Sequence, residues 1–129
     1  MPLILIVDDS ETHRKQLQAE LSQAHYEVLE AADGVQGLEV VEAHPQIDLI
    51  LCDVNMPRMS GLMMVEKLRA KREGKNIPVM MLTTEADPAL KERGKAAGVS
   101  AWAIKPFDAK KVIVAIEKLI KKGVQAPYG

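Results

Sequence analysis

The sequence is poor in several features that mark other classes of protein. It contains a single cysteine and only 3% aromatic residues. One cysteine cannot form an internal disulfide, and Cys52 lies inside an apolar run, where we expect a small buried thiol. No apolar run approaches the ~20 consecutive residues that span a bilayer. Residues 1–3 lack the basic lead and cleavage site of a signal peptide, so we expect a cytoplasmic protein that is not bound to a membrane.

An excess of charge of one sign is also lacking. The formal net charge is −1, and the lysine and arginine residues lie beside glutamate and aspartate along the predicted helices. Such a balance gives no overall attraction for a phosphate backbone. We therefore do not expect this chain alone to bind nucleic acid.

The sequence does have the length and pattern of one α/β domain. Short apolar runs occur at residues 3–7, 27–30, 49–52, 79–82 and 101–104. Four of these runs are nearly continuous, as in parallel strands that are covered on both faces. Segments with helical spacing separate them, and residues suited to capping helices precede these segments at Asp33, Ser60, Asp87 and Asp108. The alternation predicts a doubly wound parallel sheet over residues 1–123, followed by a loose tail at 124–129.

Polar residues collect where the predicted strands end. Those that follow the first, third, fourth and fifth runs are Asp8 and Asp9, Asp53 and Asn55, Thr83, and Lys105 with Pro106. The second run ends in alanines, as an edge strand outside a site would. Because open parallel sheets bind ligands outside the carboxyl ends of their strands, we expect these polar residues to share one pocket.

The charges in such a pocket predict a bound cation. Asp8, Asp9 and Asp53 would bring a formal −3, and two carboxylates ~4 Å apart repel by about 4 kcal/mol at an effective dielectric near 20. Lys105 and a divalent ion would balance them, and oxygen ligands favour Mg²⁺, with Mn²⁺ able to substitute. A carboxylate beside such an ion and a lysine is suited to phosphoryl transfer. Each of these residues alone also has a structural explanation; an acidic pair after a strand, for example, is more often a helix cap. Their joint placement at the ends of the strands nevertheless favours a functional site.

These residues resemble the response-regulator receiver family of two-component signalling, and the segment DVNMPRMSG at residues 53–61 is especially similar to its single-domain chemotaxis members. The resemblance covers essentially the whole chain. It implies a flavodoxin-like fold with strand order 2-1-3-4-5. It also implies Asp53 as phosphoacceptor, Asp8 and Asp9 as the metal-positioning pair, Asn55 as a ligand through its carbonyl, and Thr83 and Lys105 as phosphoryl contacts.

Further positions acquire roles from the resemblance. The peptide bond between Lys105 and Pro106 is expected to be cis. Asn55 and Glu85 occupy positions that tune phosphoryl lifetime, and both match the chemotaxis type, so we expect a lifetime of seconds to minutes. Trp102 stands where the family usually has a tyrosine or phenylalanine that turns inward on activation. Because an indole is larger and its N–H needs a partner when buried, Trp102 is either a switch residue or a half-exposed platform.

The resulting hypothesis is a stand-alone, monomeric response regulator rather than an enzyme. The resemblance implies phosphorylation by a chemotaxis-type histidine kinase, followed by binding to a flagellar motor switch or another motility component through residues 86–97, 101–104 and 108–122. An intermediate receiver in another phosphorelay is an alternative. A phosphatase with an aspartate nucleophile would need a second acid where Asn55 stands, and a cap domain. A constitutive scaffold would not need the complete set of site residues.

Overall fold

The fold is a five-stranded parallel sheet with helices on both faces, as the sequence predicted. The computed structural model describes residues 1–71, 74, 76–84, 87–106 and 108–123. The elements in chain order are β1 (Leu3–Val7), α1 (Glu11–Gln23), β2 (Glu27–Ala31), α2 (Gly34–Ala43), β3 (Leu49–Asp53), α3 (Gly61–Ala70), β4 (Val79–Thr83), α4 (Pro88–Ala96), β5 (Ala101–Ile104) and α5 (Ala109–Gly123). The strand order is β2-β1-β3-β4-β5, which confirms the flavodoxin-like topology.

The core consists of two layers, one on each face of the sheet. Every residue of β1, β3 and β4 is buried. Alternate strand residues such as Leu5 and Cys52 pack with α2 and α3, whereas Ile6 and Leu51 pack with α1 and α5. Burial on both faces explains why these strands read as continuous apolar runs.

Helix caps confirm most of the predicted helix boundaries. The side chains of Asp33, Ser60 and Asp87 accept N–H groups at the start of α2, α3 and α4. The Asp108 carboxylate accepts the Lys110 N–H at 2.9 Å before α5. In α1 the cap is Ser10, which accepts the His13 N–H. The adjacent acids, Asp8 and Asp9, are therefore free of the capping role.

The two helices that lead into the edge strands end in residues with left-handed backbone conformation. Gly98, after α4, has φ of 80°, and His25, after α1, has φ of 69°. At each end the next residue donates its N–H back into the helix, from Val99 to Gly94 at 2.9 Å and from Tyr26 to Leu21 at 3.1 Å. Glycine adopts this conformation without cost, whereas histidine does not.

Three strands extend one residue beyond their predicted ends. The ladder continues through Ala31, Asp53 and Thr83, where Asp53 pairs with Leu82 and Thr83 with Ile104. Asp53 and Thr83 are thus the last residues of β3 and β4, and the predicted strands stopped too early because these side chains are polar. The sheet itself, rather than a loop, positions both residues.

Some predictions fall on residues that the structure does not describe. The tail at 124–129, Glu85 and residue 86 lie outside the described residues. Among the described helices, none combines the length and apolar character needed to cross a bilayer.

Candidate functional site

Three carboxylates meet at the carboxyl ends of β1 and β3. Oxygens of Asp8, Asp9 and Asp53 all lie within 4.8 Å of one another. Asp8 and Asp53 are buried, whereas Asp9 is exposed to solvent. The adjacency of β1 and β3 in the sheet brings these acids together. The pocket therefore concentrates negative charge at one edge of the sheet.

One oxygen of Asp8 has no hydrogen-bond partner. Asp8 Oδ1 accepts the Ser10 N–H at 2.8 Å, but Asp8 Oδ2 is buried and accepts no hydrogen bond. The cationic or potentially cationic atoms near it are Lys105 Nζ at 3.6 Å and His13 Nδ1 at 3.9 Å. A buried carboxylate oxygen without a partner is costly. A divalent cation with oxygen ligands would satisfy Asp8 Oδ2, so the residues present fit a metal of this kind.

Lys105 lies close to both buried acids and bridges them. Its Nζ lies 3.5 Å from Asp53 Oδ2 and 3.6 Å from Asp8 Oδ2, and its side chain is only 16% exposed. The Lys105 N–H donates to the Thr83 carbonyl at 2.7 Å, which attaches the loop after β5 to the end of β4. The Lys105–Pro106 peptide bond is cis, as expected.

The electrostatic environment of Asp53 opposes its ionisation. Burial raises the pKa of Asp53 above its usual range; the Lys105 charge lowers it, and the Asp8 charge raises it further. Burial thus outweighs the ion pair with Lys105. Additional positive charge in the pocket would lower the pKa of Asp53 and so favour the ionised carboxylate.

Asn55 follows β3 two residues after Asp53, and Thr83 ends the neighbouring strand β4. The Asn55 N–H donates to Asp53 Oδ1 at 3.3 Å, while the residue itself is exposed. Thr83 is fully buried at the end of β4. The two oxygens of Asp53 therefore have different partners, the Asn55 amide for Oδ1 and Lys105 for Oδ2.

Trp102 lies outside the pocket, on the side of β5 that faces α4. It is half-buried and packs against the core layer formed with α2 and α3. Its indole lies directly on Gly94, where an added Cβ would come within 2.3 Å of Trp102 Cζ2. Gly94 is the one buried residue of α4. The exposure of Trp102 is intermediate, and both the switch role and the platform interpretation stay predictions.

Two residues near the site were not identified from the sequence. Arg14, on α1, donates to the main-chain carbonyl of Asp8 at 2.7 Å and to Glu30 of β2 at 3.3 Å. No local sequence pattern indicates this contact, because the partners lie on different elements.

By contrast, Cys52 is buried as predicted, and burial raises the pKa of its thiol.

A doubly wound sheet with an acidic pocket and a bridging lysine at its carboxyl edge defines the class of protein. The profile of the response regulator receiver domain matches residues 4–117. The chain belongs to the response regulator receiver domain family of two-component signalling.

Several known proteins are similar over most of the chain. Chemotaxis protein CheY1 of Helicobacter pylori is 42% identical over 105 residues, which cover 81% of this chain and 85% of that protein. The structure of chemotaxis protein CheY4 of Vibrio cholerae is 38% identical, with a TM-score of 0.88 and coverage of 92% of this chain and 98% of that one. The receiver domain of a Pseudomonas aeruginosa sensor histidine kinase, solved with a magnesium ion coordinated in its active-site cleft, is 28% identical, with a TM-score of 0.85 and coverage of 93% and 98%.

Proposed function

We propose that the chain is a stand-alone cytoplasmic response regulator, folded over residues 1–123, in which Asp53 accepts a phosphoryl group from a histidine kinase. The observation that carries this proposal is the position of Asp53 Oδ2, 3.5 Å from Lys105 Nζ in a pocket shared with Asp8 and Asp9. A nucleophilic carboxylate is thereby placed beside a cation that can contact phosphoryl oxygens. Phosphoryl transfer requires little more from a protein than such alignment and charge stabilisation.

In the proposed transfer, an Asp53 oxygen forms a bond to phosphorus while the bond between phosphorus and the donor's histidine nitrogen breaks. The product is an acyl phosphate of about −2 charge. Asp8, Asp9, Asp53 and the Asn55 carbonyl would hold Mg²⁺ or Mn²⁺, which would neutralise charge on the transferred group. The magnesium ion in the similar Pseudomonas aeruginosa receiver domain supports this metal. The protein returns to its starting state by hydrolysis of the acyl phosphate and does not turn over an external substrate.

The negative charge that phosphorylation adds at Asp53 is the proposed signal. Lys105 and Thr83 would contact the phosphoryl group, and the Lys105 N–H already bonds the Thr83 carbonyl, so a shift in one moves the other. Trp102 is the second residue of β5 and would transmit the change to α4, with Pro106 and Glu85 as further switch positions. The face formed by α4, β5 and α5 would then bind a motility component such as a flagellar motor switch, as the similarity to chemotaxis proteins supports.

The direct test is labelling with acetyl phosphate in the presence of Mg²⁺, measured by intact-protein mass spectrometry. We expect one phosphoryl group on the wild type and none on Asp53→Asn. Because ionised Asp53 is unfavourably buried, its neutral replacement should fold at least as stably as the wild type. The loss of labelling will therefore not be a loss of structure. Equal labelling of both proteins, or no labelling of the wild type, would reject Asp53 as the phosphoacceptor.

A second experiment tests the output. Beryllofluoride should change the fluorescence of Trp102, the single tryptophan, in the wild type and leave Asp53→Ala unchanged. Pull-downs with the same samples should retain the target only with beryllofluoride-treated wild type. Capture that is equal in all samples would indicate a constitutive scaffold instead.

The similarity to a receiver domain of a sensor kinase favours one alternative, an intermediate receiver in a phosphorelay. In that case phosphorylated Asp53 would donate to a histidine on a second protein, regenerating the carboxylate. Two results together would select this alternative. The phosphoryl group would transfer to a histidine phosphotransfer domain, and the face of α4, β5 and α5 would retain no target.

A further inference from the structure

Arg14 connects the acidic pocket to an edge strand that contributes no residue to it. The Arg14 guanidinium donates through Nη1 to the Asp8 carbonyl at 2.7 Å and through Nε to Glu30 Oε1 at 3.3 Å. The Arg14 side chain is only 14% exposed and the Glu30 side chain 23%. Both contacts are thus shielded enough to hold one geometry, unlike ion pairs on an open surface.

The contact completes the set of bonds that orient Asp8. The Asp8 N–H donates to the Ala31 carbonyl of β2 at 3.1 Å, and Asp8 Oδ1 accepts the Ser10 N–H at 2.8 Å. Arg14 binds the remaining main-chain group. With these groups bound, Asp8 Oδ2 is left facing the pocket without a hydrogen bond. Strand β2 therefore acts on Asp8 twice, directly through Ala31 and indirectly through Glu30 and Arg14.

Only arginine suits this bridge. A guanidinium presents several N–H donors in a fixed plane and can bind a carbonyl and a carboxylate together. Lys15, the next residue on α1, also binds Glu30, at 3.1 Å from Oε2, but its side chain is 59% exposed. The Lys15 contact joins the same carboxylate without reaching Asp8, so Lys15 is a natural control.

We propose that Arg14, oriented by Glu30, is a positioning residue that sets the affinity of the acidic pocket for its divalent cation. The inference rests on the proposed function, because it assumes that Asp8 Oδ2 faces a metal. Groups that orient metal ligands without touching the ion change affinity by about 10–100-fold when they are removed. Arg14 acts in this way through the main chain of Asp8.

The test is calorimetric titration of the unphosphorylated protein with Mg²⁺. Arg14→Ala should weaken Mg²⁺ binding by about 10-fold or more, and Arg14→Lys should fall between Arg14→Ala and wild type because one ammonium cannot span both partners. Glu30→Gln should weaken binding less than Arg14→Ala. Lys15→Ala should bind Mg²⁺ like the wild type.

The outcomes separate positioning from simple stability. A merely structural role would lower the melting temperature of Arg14→Ala without changing its Mg²⁺ dissociation constant relative to Lys15→Ala, and that result would overturn the inference. If Arg14→Ala does not fold, unchanged Mg²⁺ affinity in both Arg14→Lys and Glu30→Gln would overturn it equally. A wild type that binds no Mg²⁺ would instead refute the proposed function.

Discussion

The two edge strands of the sheet are attached to the domain in different ways. At β2, Glu30 binds two cationic side chains of α1, Arg14 and Lys15. At β5, the indole of Trp102 packs against Gly94 of α4, and Ile104 stays 42% exposed. Hydrogen-bonded ion pairs depend on the orientation of the two side chains and tolerate changes in side-chain volume. Close packing of an indole against a glycine tolerates very little change in volume. We therefore expect β2 to belong to the fixed frame of the site, and β5 to be sensitive to any change in packing.

The largest expected effect on the free energy of unfolding is at the edge strand β5. Gly94→Val would place a branched side chain where even a Cβ would lie 2.3 Å from Trp102. Overpacking of this kind costs about 1–3 kcal/mol, and valine adds no large gain in helix propensity to offset it. Urea unfolding should show a fall in the free energy of unfolding of this size.

A double-mutant cycle identifies the cause. If the clash with the indole is responsible, Gly94→Val should cost much less in a Trp102→Ala background. Lys95→Ala, on the exposed side of the same helix, should stay within about 0.5 kcal/mol of wild type. Equal costs with and without the indole would show that Trp102 does not depend on the small residue at 94.

A smaller effect is expected where β2 leads into α2, because this turn again depends on charge. The Asp33 carboxylate caps α2 by accepting the Gln36 N–H at 2.9 Å and also binds Arg58. Asp33→Ala should lower the free energy of unfolding by about 1 kcal/mol at neutral pH. Asp33→Asn, which keeps a capping oxygen, should lose less.

The Asp33 carboxylate also makes the free energy of unfolding depend on pH, and the sign of this dependence can be predicted. The backbone hydrogen bond from Gln36 lowers the pKa of Asp33, against the effect of burial, and Arg58 lowers it further. A carboxyl group whose folded-state pKa is lowered stabilises the protein above its unfolded-state pKa, and this stability is lost as pH falls through the folded-state pKa. The stability difference between wild type and Asp33→Asn should therefore shrink as the solution is acidified. A difference that is constant with pH would contradict the ionic contribution.

The smallest effect concerns the turns that lead into the two edge strands. Before β5 the left-handed residue is Gly98, but before β2 it is His25, with φ of 69°. His25→Gly should raise the free energy of unfolding by about 0.5 kcal/mol, because relief of the unfavourable conformation exceeds the entropy that glycine adds to the unfolded chain. His44→Gly is a matched control, since His44 ends α2 with φ of −133° and has no such strain to relieve. Stabilisation by both substitutions would exclude this explanation.

The sequence predicted the fold because burial on both faces leaves a direct pattern in each strand. It also predicted that Asp8, Asp9, Asp53 and Lys105 share one pocket, since the ends of parallel strands meet at one edge. Side-chain contacts between different elements leave no such pattern in the sequence. Arg14 and Glu30 are 16 residues apart on different elements, and nothing local distinguishes them from other surface charges. The small residue that Trp102 requires is likewise visible only once α4 is packed beside β5.

Cys52 gives the chain a built-in reporter of global opening. Its thiol is buried in β3, next to Asp53, and burial raises its pKa, which leaves little of the reactive thiolate. A thiol reagent can reach it only when the core layer formed with α2 and α3 opens, so the rate of modification measures that opening. Because no other cysteine is present, a cysteine introduced on the surface could be labelled selectively while the folded protein keeps its own thiol unmodified.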